Sequence, residues 1–540
     1  MSEQNNTQVI GADVKRLPFK DLVKRIGPGL IATGIVIGPG AVTTAAMLGS
    51  SYGYSLLWLV WPIIFMGMTF MMVTNRLAIV TGMPTIHAIR KYYGPVASGI
   101  VSIATFLACL FFTMGNISGT GAGMNLIFGI NWKVGSVILI AVVLYCYFAK
   151  NVYSKVEKLI TACILVMIVS FYATLVGVGG PEWGGFSKGL VGFQLPEGSL
   201  GTALAFISTN SAITAGIYNT YLGKEKKWKK EDLFNGVMFT DALVHILSVV
   251  LISGAIMVVG AVVLHPEGKT IKAPAQLAEL LVPIMGGAAK YIMGFALLGA
   301  GFSSLLANTQ RGMVLLGAGF DKDVSLESKF IKWGCLACLI FAMVVCYSYG
   351  GSPTQLILMA NIATSVATPF GGLFVLLLLW RKDVNEGYKK PTALRICMTI
   401  SYIFVLFMTF SALSTSIPKF LASIGLGQVR RPVQSSPAPE PADPSALDTS
   451  LNTSGYTDWL WDEAGVLSDA TEETLCLYNA NWDARYGMIM AVAAVSDTDG
   501  MAIDTYTYQL GNDIGLGSQD LLLVMDVGGQ DAFLIPGDSV

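Results

Sequence analysis

The stretch IVIGPGAVTTAAMLGSS, from Ile35 to Ser51, decides how the rest of the chain is interpreted. It is an apolar, helix-forming run interrupted by Gly38-Pro39-Gly40. Proline removes a backbone donor and clashes with the preceding turn, and glycine has low helix propensity, so the triplet predicts a break in a membrane-spanning helix. Irregular backbone at membrane depth is tolerated only inside protein or beside a watery cavity, and broken helices hold the substrate sites of secondary transporters. Two interpretations stay open from this stretch alone: a substrate site, or a kinked structural helix.

The composition excludes a soluble enzyme and gives no sign of a nucleic-acid partner. The chain has 540 residues, of which 53% are hydrophobic and only 13% charged, with a net charge of −1. Its mean hydropathy is +0.61. Charges fall between long apolar runs, as expected where charge inside the hydrocarbon is costly. The first 25 residues are polar and basic, without the short apolar core of a cleavable signal sequence.

Apolar runs of membrane-spanning length predict about eleven spans. They lie near residues 28–50, 55–80, 96–122, 134–149, 157–178, 199–222, 235–264, 287–308, 330–348, 354–380 and 393–414. Lysine and arginine cluster before the first span and in alternate loops, most densely over Lys224–Lys230. By the positive-inside rule the N-terminus is expected in the cytoplasm, and an odd number of spans places the C-terminus outside a bacterial-type inner or plasma membrane.

A composition change after the last span marks a second region. Residues 425–455 are rich in Pro, Ser, Ala and Asp, which predicts a linker. From Tyr456 the chain alternates a helix at Thr471–Asn481, a strand at Met488–Val495, a helix near Ala502–Leu510 and a strand at Leu521–Asp526. This alternation favours a small α/β domain over residues 456–540. A strand-like segment lies just before Val540, so an incomplete domain is one expectation.

Several collinear segments resemble the Nramp family of divalent-metal transporters. They are GPGAVTTAAMLGSSYGYSLLW after Ile37, RLAIVTG from Arg76, SGTGAGMNLIFGI from Ser118, KVEKLI from Lys155 and GFALLGAGFSSLLANTQRG from Gly294. The resemblance implies that a transporter domain at 26–424 follows a cytoplasmic tail at 1–25. It also implies an all-α polytopic membrane protein of LeuT-like architecture, with two inverted five-helix repeats and one extra helix. The first and sixth helices are then expected to be broken, although the sixth has Ala212 where the family usually has proline.

The departures from the family pattern bear on the substrate. The family's Asp-Pro-Gly-Asn is Gly38-Pro39-Gly40-Ala41 here, and its Met-Pro-His aligns with Ser211-Ala212-Ile213. Both metal-coordinating side chains of the first helix are therefore replaced, together with the thioether and the imidazole of the sixth. Two acidic positions that the family associates with proton movement are Thr113 and Asn116, and a family Gln aligns with Asn361.

What remains is a set of hard, neutral oxygens. The predicted ion site consists of backbone near the first break, a polar cluster in the sixth span and one amide in the tenth: Gly38, Gly40, Ala41, Ser208, Thr209, Asn210, Ser211, Thr214 and Asn361. A thioether favours softer transition metals, whereas Mg²⁺ prefers oxygen and keeps several of its waters. We therefore predict import of hydrated Mg²⁺, with Mn²⁺ as a second candidate substrate and without proton coupling. The pattern resembles the Nramp-related magnesium transporters. No cofactor and no catalytic residue are predicted.

The C-terminal region resembles the TPM domain. The similar segments are DWLWDEAGVLSDATEETL from Asp458, YTYQLGNDIGLGSQDLLLVMD from Tyr506, and FLIPG. This family occurs mainly outside the cytoplasm, and some members are acid phosphatases or bind divalent cations such as Ca²⁺. Asp462, Asp513, Asp520 and Asp526 are the candidate acidic positions, with solvated surface charge as the alternative for each. We do not predict catalysis here.

Four other functions stay open at this point. In the same fold class these are a proton-coupled carrier of Mn²⁺ or another transition metal, and a carrier of organic solutes. From other classes come a membrane-anchored TPM-type phosphatase and an envelope sensor. Besides the transported ion, the lipid bilayer is the one partner that the sequence implies.

Overall fold

The structure is a computed structural model that divides into two compact units, Met1–Val429 and Arg430–Val540. It describes residues 14–25, 32–34, 36–148, 165, 168–196, 198–225, 228–269, 271, 274–325, 327–348, 368–423, 447–498, 501, 503–514, 516–517, 520–529 and 531–537. The boundary between the units falls inside the segment predicted as a linker.

The described part of the first unit is helical. Its helices are α1 (Phe19–Arg25), α2 (Pro39–Tyr52), α3 (Val60–Thr81), α4 (Thr85–Phe128), α5 (Trp132–Phe148), α6 (Ile168–Gly177), α7 (Trp183–Val191), α8 (Leu200–Asn210), α9 (Ile213–Glu225), α10 (Val237–Val263), α11 (Ala289–Gly319), α12 (Lys329–Ser348), α13 (Thr368–Trp380) and α14 (Thr392–Ser423). Within the described ranges, seven helical segments are long and apolar enough to cross a membrane. Each of the eleven predicted spans contains at least part of a described helix.

Apolar side chains on the outer helices face away from the protein core. Helix α14 exposes Ile396, Ile400, Ile403, Phe407 and Phe410, which recur at helical spacing. Only 22% of the most apolar 18-residue stretch of this helix is buried inside the protein. Such a continuous apolar face is the surface expected of a helix in contact with lipid.

Helix α4 is longer than the predicted third span. It begins at Thr85 and contains a backbone break at Gly94, where φ is 87° and ψ is 175°. A positive φ is readily adopted only by glycine, and Pro95 then starts the next helical turn. The break therefore separates a short first segment from the long membrane-spanning part of the helix.

Glycines allow the central helices of the first unit to approach closely. A side-chain carbon on Gly123 of α4 would lie 2.9 Å from the carbonyl oxygen of Gly294 in α11. A side-chain carbon on Gly49 of α2 would overlap the carbonyl of Met257 in α10. Small residues at such contacts let membrane helices pack backbone to backbone, so α2 and α4 are held by their neighbours along much of their length.

The second unit is a small α/β domain, as predicted. Its elements are β1 (Leu460–Asp462), α15 (Asp469–Tyr486), β2 (Met490–Val495), α16 (Ile503–Asp513), β3 (Leu521–Asp526) and β4 (Asp531–Pro536). The sheet order is β1-β2-β3-β4, with β1, β2 and β3 parallel and β4 antiparallel to β3. Strand β1 is the described element that the sequence did not predict, because three residues are too few for a periodic pattern.

Candidate ion site at two helix breaks

The first break lies at Gly38. This residue is extended, with φ −108° and ψ −179°, and helix α2 begins immediately after it at Pro39. The Gly38 amide donates to the Val36 carbonyl at 3.0 Å, and the Gly38 carbonyl accepts from the Val42 amide at 3.2 Å. Proline at the first helical position is well tolerated because that position has no intrahelical donor role. The Gly-Pro-Gly triplet thus ends one helical segment and starts the next.

Two small residues hold Pro39 in place. A side-chain carbon on Gly119 of α4 would overlap the Pro39 ring, and one on Gly301 of α11 would lie 3.3 Å from Pro39 Cγ. The proline ring therefore fills a slot between these two helices. The slot fixes where the break lies relative to both of them.

A polar side chain lies beside Gly38 on each of α4 and α11, one turn away from the glycine that contacts Pro39. A side-chain carbon on Gly38 would lie 2.8 Å from Asn116 Oδ1 of α4 and 2.7 Å from Ser304 Oγ of α11. Asn116 precedes Gly119 by three residues and Ser304 follows Gly301 by three, a spacing that places each pair on one face of its helix. The space beside Gly38 is therefore lined by two neutral oxygens.

The second break lies at Ser211, between α8 and α9, although the sequence has no proline there. Ser211 has φ −126° and ψ 35°. The Asn210 amide Nδ2 donates to the Phe206 carbonyl at 2.8 Å, and Ser211 Oγ donates to the Ile207 carbonyl at 2.7 Å. Polar side chains that bond back to carbonyls four residues earlier compete with the helical ladder and bend helices. Side-chain hydrogen bonds therefore accompany this break where the family uses proline.

Some of the predicted site residues have hydrogen-bond partners within the protein, and one has none. Asn210 Oδ1 accepts from Ser253 Oγ of α10 at 2.9 Å, so both ends of this amide are occupied. The Gly40 carbonyl accepts from Thr44 Oγ1 at 2.8 Å. Thr209 Oγ1 is buried without a hydrogen-bond partner. Thr209 Oγ1 is therefore available to bind an ion or its water. The Asn210 amide is already used in contacts within the protein.

The remaining members of the set are buried, and one lies outside the described residues. Ala41, Ser208, Ser211 and Thr214 are at most 4% exposed, and Gly38 is also buried. The candidate residues are therefore closed to solvent in this conformation. Asn361 belongs to the segment 349–367, which is outside the described residues.

Two further buried polar groups without partners lie near the first break. Asn116 Nδ2 and Thr43 Oγ1 are buried without a hydrogen-bond partner, like Thr209 Oγ1. Nearly all buried polar groups in folded proteins are paired, so three such groups on adjoining helices need an explanation. Sequence reasoning considered Asn116 only as a lost proton carrier and did not single out Thr43 or Ser304. The one signal for Ser304 was a pair of serines inside an apolar helix.

Two buried titratable residues of α10, Asp241 and His245, contact neutral polar side chains. Asn219 Nδ2 contacts Asn75 Oδ1 at 3.0 Å and Asp241 Oδ2 at 3.5 Å, and Thr33 Oγ1 contacts His245 Nδ1 at 2.9 Å. These contacts join helices α3, α9 and α10 with residues 32–34. Across the described ranges, no group of three or more His, Cys, Asp or Glu side chains comes together in a way that could hold a metal ion.

The acidic candidates of the second unit mostly hold turns. Asp462 accepts from the amides of Val466 and Leu467 at 3.0 and 2.7 Å. Asp520 accepts from the amides of Ile489 and Gly517. Asp526 accepts from the Gly529 amide at 2.8 Å, and Asp513 ends α16. Three of the four carboxylates are thus engaged by backbone donors.

Comparisons with known proteins agree with the sequence segments described above. A family model described as natural resistance-associated macrophage protein-like (Nramp) matches residues 29–415, and a TPM domain model matches residues 460–540. The divalent metal cation transporter MntH 1 of Pseudomonas aeruginosa is 25% identical over 369 residues, which cover 65% of this chain and 82% of the relative. MntH of Listeria monocytogenes is 24% identical over 439 residues, covering 76% and 95%.

Solved structures confirm the predicted fold class. A mutant of the Eremococcus coleocola manganese transporter matches with a TM-score of 0.63 at 18% identity, covering 77% of this chain and 93% of that one. The same transporter in complex with an aromatic bis-isothiourea compound gives a TM-score of 0.60. The first unit is thus a polytopic helical protein of LeuT-like architecture, and a small α/β TPM domain follows it.

Proposed function

The chain belongs to the Nramp family, and we propose that it imports hydrated Mg²⁺ through the neutral site at its two helix breaks. Its relatives are named divalent metal cation transporters, which supports transport of this class of ion. Mn²⁺ is the second substrate in the proposal. The transmembrane helices perform this function, and no enzymatic step is part of it.

The surroundings of Gly38 carry the proposal. The position has no side chain, and Asn116 Oδ1 and Ser304 Oγ lie where a side chain would begin. Neutral oxygens bind the waters of an ion by hydrogen bonds and do not compete strongly for its inner coordination sphere. Mg²⁺ dehydrates reluctantly and commonly keeps several waters when bound. A site of this chemistry therefore suits Mg²⁺ with its waters better than a partly dehydrated transition metal.

The same residues argue against proton coupling. The positions that could carry a proton in the family are Gly38, Ile213, Thr113 and Asn116 here. Thr113 Oγ1 donates to the Cys109 carbonyl at 2.8 Å, an ordinary contact for a hydroxyl in a helix. A divalent ion gains roughly 4.6 kcal/mol per 100 mV of interior-negative potential, twice the 2.3 kcal/mol of a single charge. The membrane potential alone can therefore drive uptake.

Uptake by the purified full chain in liposomes tests the proposal. Mg²⁺, Mn²⁺ and Ca²⁺ are offered separately under an inside-negative potential, with a pH-sensitive dye in the lumen. We expect Mg²⁺ uptake without acidification of the lumen. Uptake of Mn²⁺ but not Mg²⁺ would reject the substrate, and one proton entering with each ion would reject the uncoupled mechanism.

Proton-coupled Mn²⁺ transport is the second candidate. Its Mn²⁺ substrate is supported by the solved relative, whose name is manganese transporter. This candidate differs from the first in ion preference and in the pH of the lumen, because Mn²⁺ would be preferred and the lumen would become acidic. The liposome assay therefore separates the two candidates in one experiment.

The orientation belongs to the same proposal. The N-terminus lies in the cytoplasm and the TPM domain outside, in a bacterial-type inner or plasma membrane, because Lys and Arg cluster in alternate loops. A cysteine-reactive reagent that cannot cross membranes tests this in a background without other accessible thiols. A cysteine at Ser450 should be labelled in intact spheroplasts and one at Ser328 should not.

A further inference from the structure

We propose that Asn116 and Ser304 line the ion path and set its specificity, a role that rests on the proposed transport of hydrated Mg²⁺. They replace the missing side chain at position 38 with neutral oxygens brought from two other helices. The ligand class is the outer water shell of a divalent cation.

The geometry gives both residues the same relation to the first break. Their oxygens lie 2.8 and 2.7 Å from the place where a side-chain carbon of residue 38 would be. The glycines one turn away, Gly119 and Gly301, press against the Pro39 ring and fix the distance of both helices from the break. The two oxygens are therefore positioned by packing and do not depend on a flexible loop.

The orphaned amide is the second observation. Asn116 is 1% exposed and its Nδ2 has no hydrogen-bond partner, while its backbone carbonyl accepts from Thr120 Oγ1 at 2.9 Å. Leaving a buried polar group unpaired costs about 1–3 kcal/mol. A nonpolar residue would avoid this cost, so the amide needs a partner in another step of the transport cycle.

Water around an ion provides that partner. Thr43 Oγ1 and Thr209 Oγ1 are also buried without partners, on the helices that flank the two breaks. When the breaks open, a hydrated cation brings several water molecules that can pair with hydroxyl and amide groups together. Carboxylates at these positions would instead favour direct coordination and loss of water.

Substitutions with matched controls on the same helices test the inference. Asn116→Ala and Ser304→Ala remove the proposed oxygens, whereas Thr113→Ala and Ser303→Ala remove hydroxyls that bond within their own helices. We expect about a tenfold loss of Mg²⁺ uptake for Asn116→Ala and about threefold for Ser304→Ala, with both controls within about twofold of the parent.

The ratio of Mg²⁺ to Mn²⁺ uptake separates an ion contact from a structural role. We expect this ratio to fall in Asn116→Ala, because Mn²⁺ loses water more readily and depends less on the outer shell. A general defect in folding or gating would lower both rates equally and would overturn the inference. Asn116→Thr keeps a neutral oxygen and should retain more Mg²⁺ uptake than Asn116→Val, which has the same shape without the hydroxyl.

A coupled pair of variants tests whether Asn116 merely occupies space. Gly38→Ala should slow uptake because its new carbon meets Asn116 and Ser304. If Asn116 and Ser304 are only packing, adding Asn116→Ala and Ser304→Ala to Gly38→Ala restores uptake to the parent rate, and the inference fails. If these two residues contact the hydrated ion, the triple variant remains at least as slow as Asn116→Ala alone.

Failure of the inference and failure of the proposed function give different results. A parent protein that carries no Mg²⁺ rejects the proposed function. A parent that carries Mg²⁺ with Asn116→Ala indistinguishable from Thr113→Ala rejects only the inference. If Asn116→Ala does not yield monodisperse protein, Asn116→Val and Ser304→Ala carry the test, and parental rates and ion ratios in both reject it.

Discussion

The two helix breaks have the same architectural role and different physical origins. At Gly38 the covalent structure of Gly-Pro-Gly interrupts the helix, and the neighbouring glycines Gly119 and Gly301 receive the proline ring. At Ser211 no proline is present, and side-chain hydrogen bonds to carbonyls one turn back accompany the interruption. A break built into the backbone persists whatever surrounds it, whereas one supported by neutral hydrogen bonds depends on partners that substitution can remove.

The largest expected effect comes from placing a charge at the first break. Gly38→Asp directs a carboxylate toward Asn116 Oδ1 and Ser304 Oγ. A buried charge without a partner costs about 3–5 kcal/mol, so we expect Mg²⁺ uptake to fall by at least about tenfold. Gly34→Ala is the matched control, because a carbon there meets no atom within 4 Å. Normal Mg²⁺ uptake by Gly38→Asp would show that this position does not face the ion.

The next largest effect is expected from filling the space that the Pro39 ring occupies beside Gly119. Gly119→Ala places a carbon in the space of Pro39, whereas Gly254→Ala in α10 meets nothing within 4 Å. Overpacking costs about 1–3 kcal/mol, so the thermal midpoint in detergent should fall for the first variant and stay unchanged for the second. Equal thermal midpoints would show that the Pro39 ring is not tightly packed against Gly119.

An effect of similar size is expected from the contact that ties the second break to α10. Asn210→Leu and Ser253→Ala each remove one partner of the 2.9 Å hydrogen bond. Each should destabilise the protein by about 1–3 kcal/mol, because the remaining partner is left buried and unpaired. The double variant should lose less than the sum of the two, and strict additivity would show that the contact contributes nothing.

The smallest expected effect is at Ser211 itself. Ser211→Ala removes the hydroxyl that bonds to the Ile207 carbonyl, and its carbonyl partner keeps its place in the helix. We expect a stability change within about 1 kcal/mol and a decrease in Mg²⁺ uptake of less than about threefold. The second break should persist in this variant because Asn210 Nδ2 still donates to the Phe206 carbonyl. A loss as large as that of Gly38→Asp would mean that the Ser211 hydroxyl alone maintains the break or contacts the ion.

Much of the fold could be predicted because its signals are local. Eleven apolar runs, the Gly-Pro-Gly triplet and the alternating elements of the TPM domain are each visible within a short window, and each corresponds to observed elements. The second break was expected from the family resemblance and from four consecutive polar residues ending at Ser211. The kink at Gly94 was not predicted, since glycine next to proline also occurs in ordinary loops.

The contacts of the candidate site could not be predicted in the same way. That Asn116 and Ser304 face Gly38 depends on how three helices distant in sequence pack together. Asn210 was predicted as a ligand because it is polar at membrane depth, and the sequence could not show that Ser253 occupies its oxygen. A single sequence identifies polar groups but does not assign their partners.

The contact between Thr33 and His245 bears on how readily the protein changes conformation. Thr33 Oγ1 and His245 Nδ1 are 2.9 Å apart, and Thr33 precedes Gly38 in the chain whereas Pro39 follows it. A hydrogen bond of this kind contributes about 0.5–1.5 kcal/mol, which corresponds to a factor of about 2 to 10 in an equilibrium ratio. Rotation about Gly38 would break this hydrogen bond together with the apolar cluster of Val36 and Ile37 with Ala215 and Val249, while α2 stays in its slot. An ion that binds one arrangement of this segment more tightly than another shifts the population toward that arrangement by as much as the difference in affinity allows.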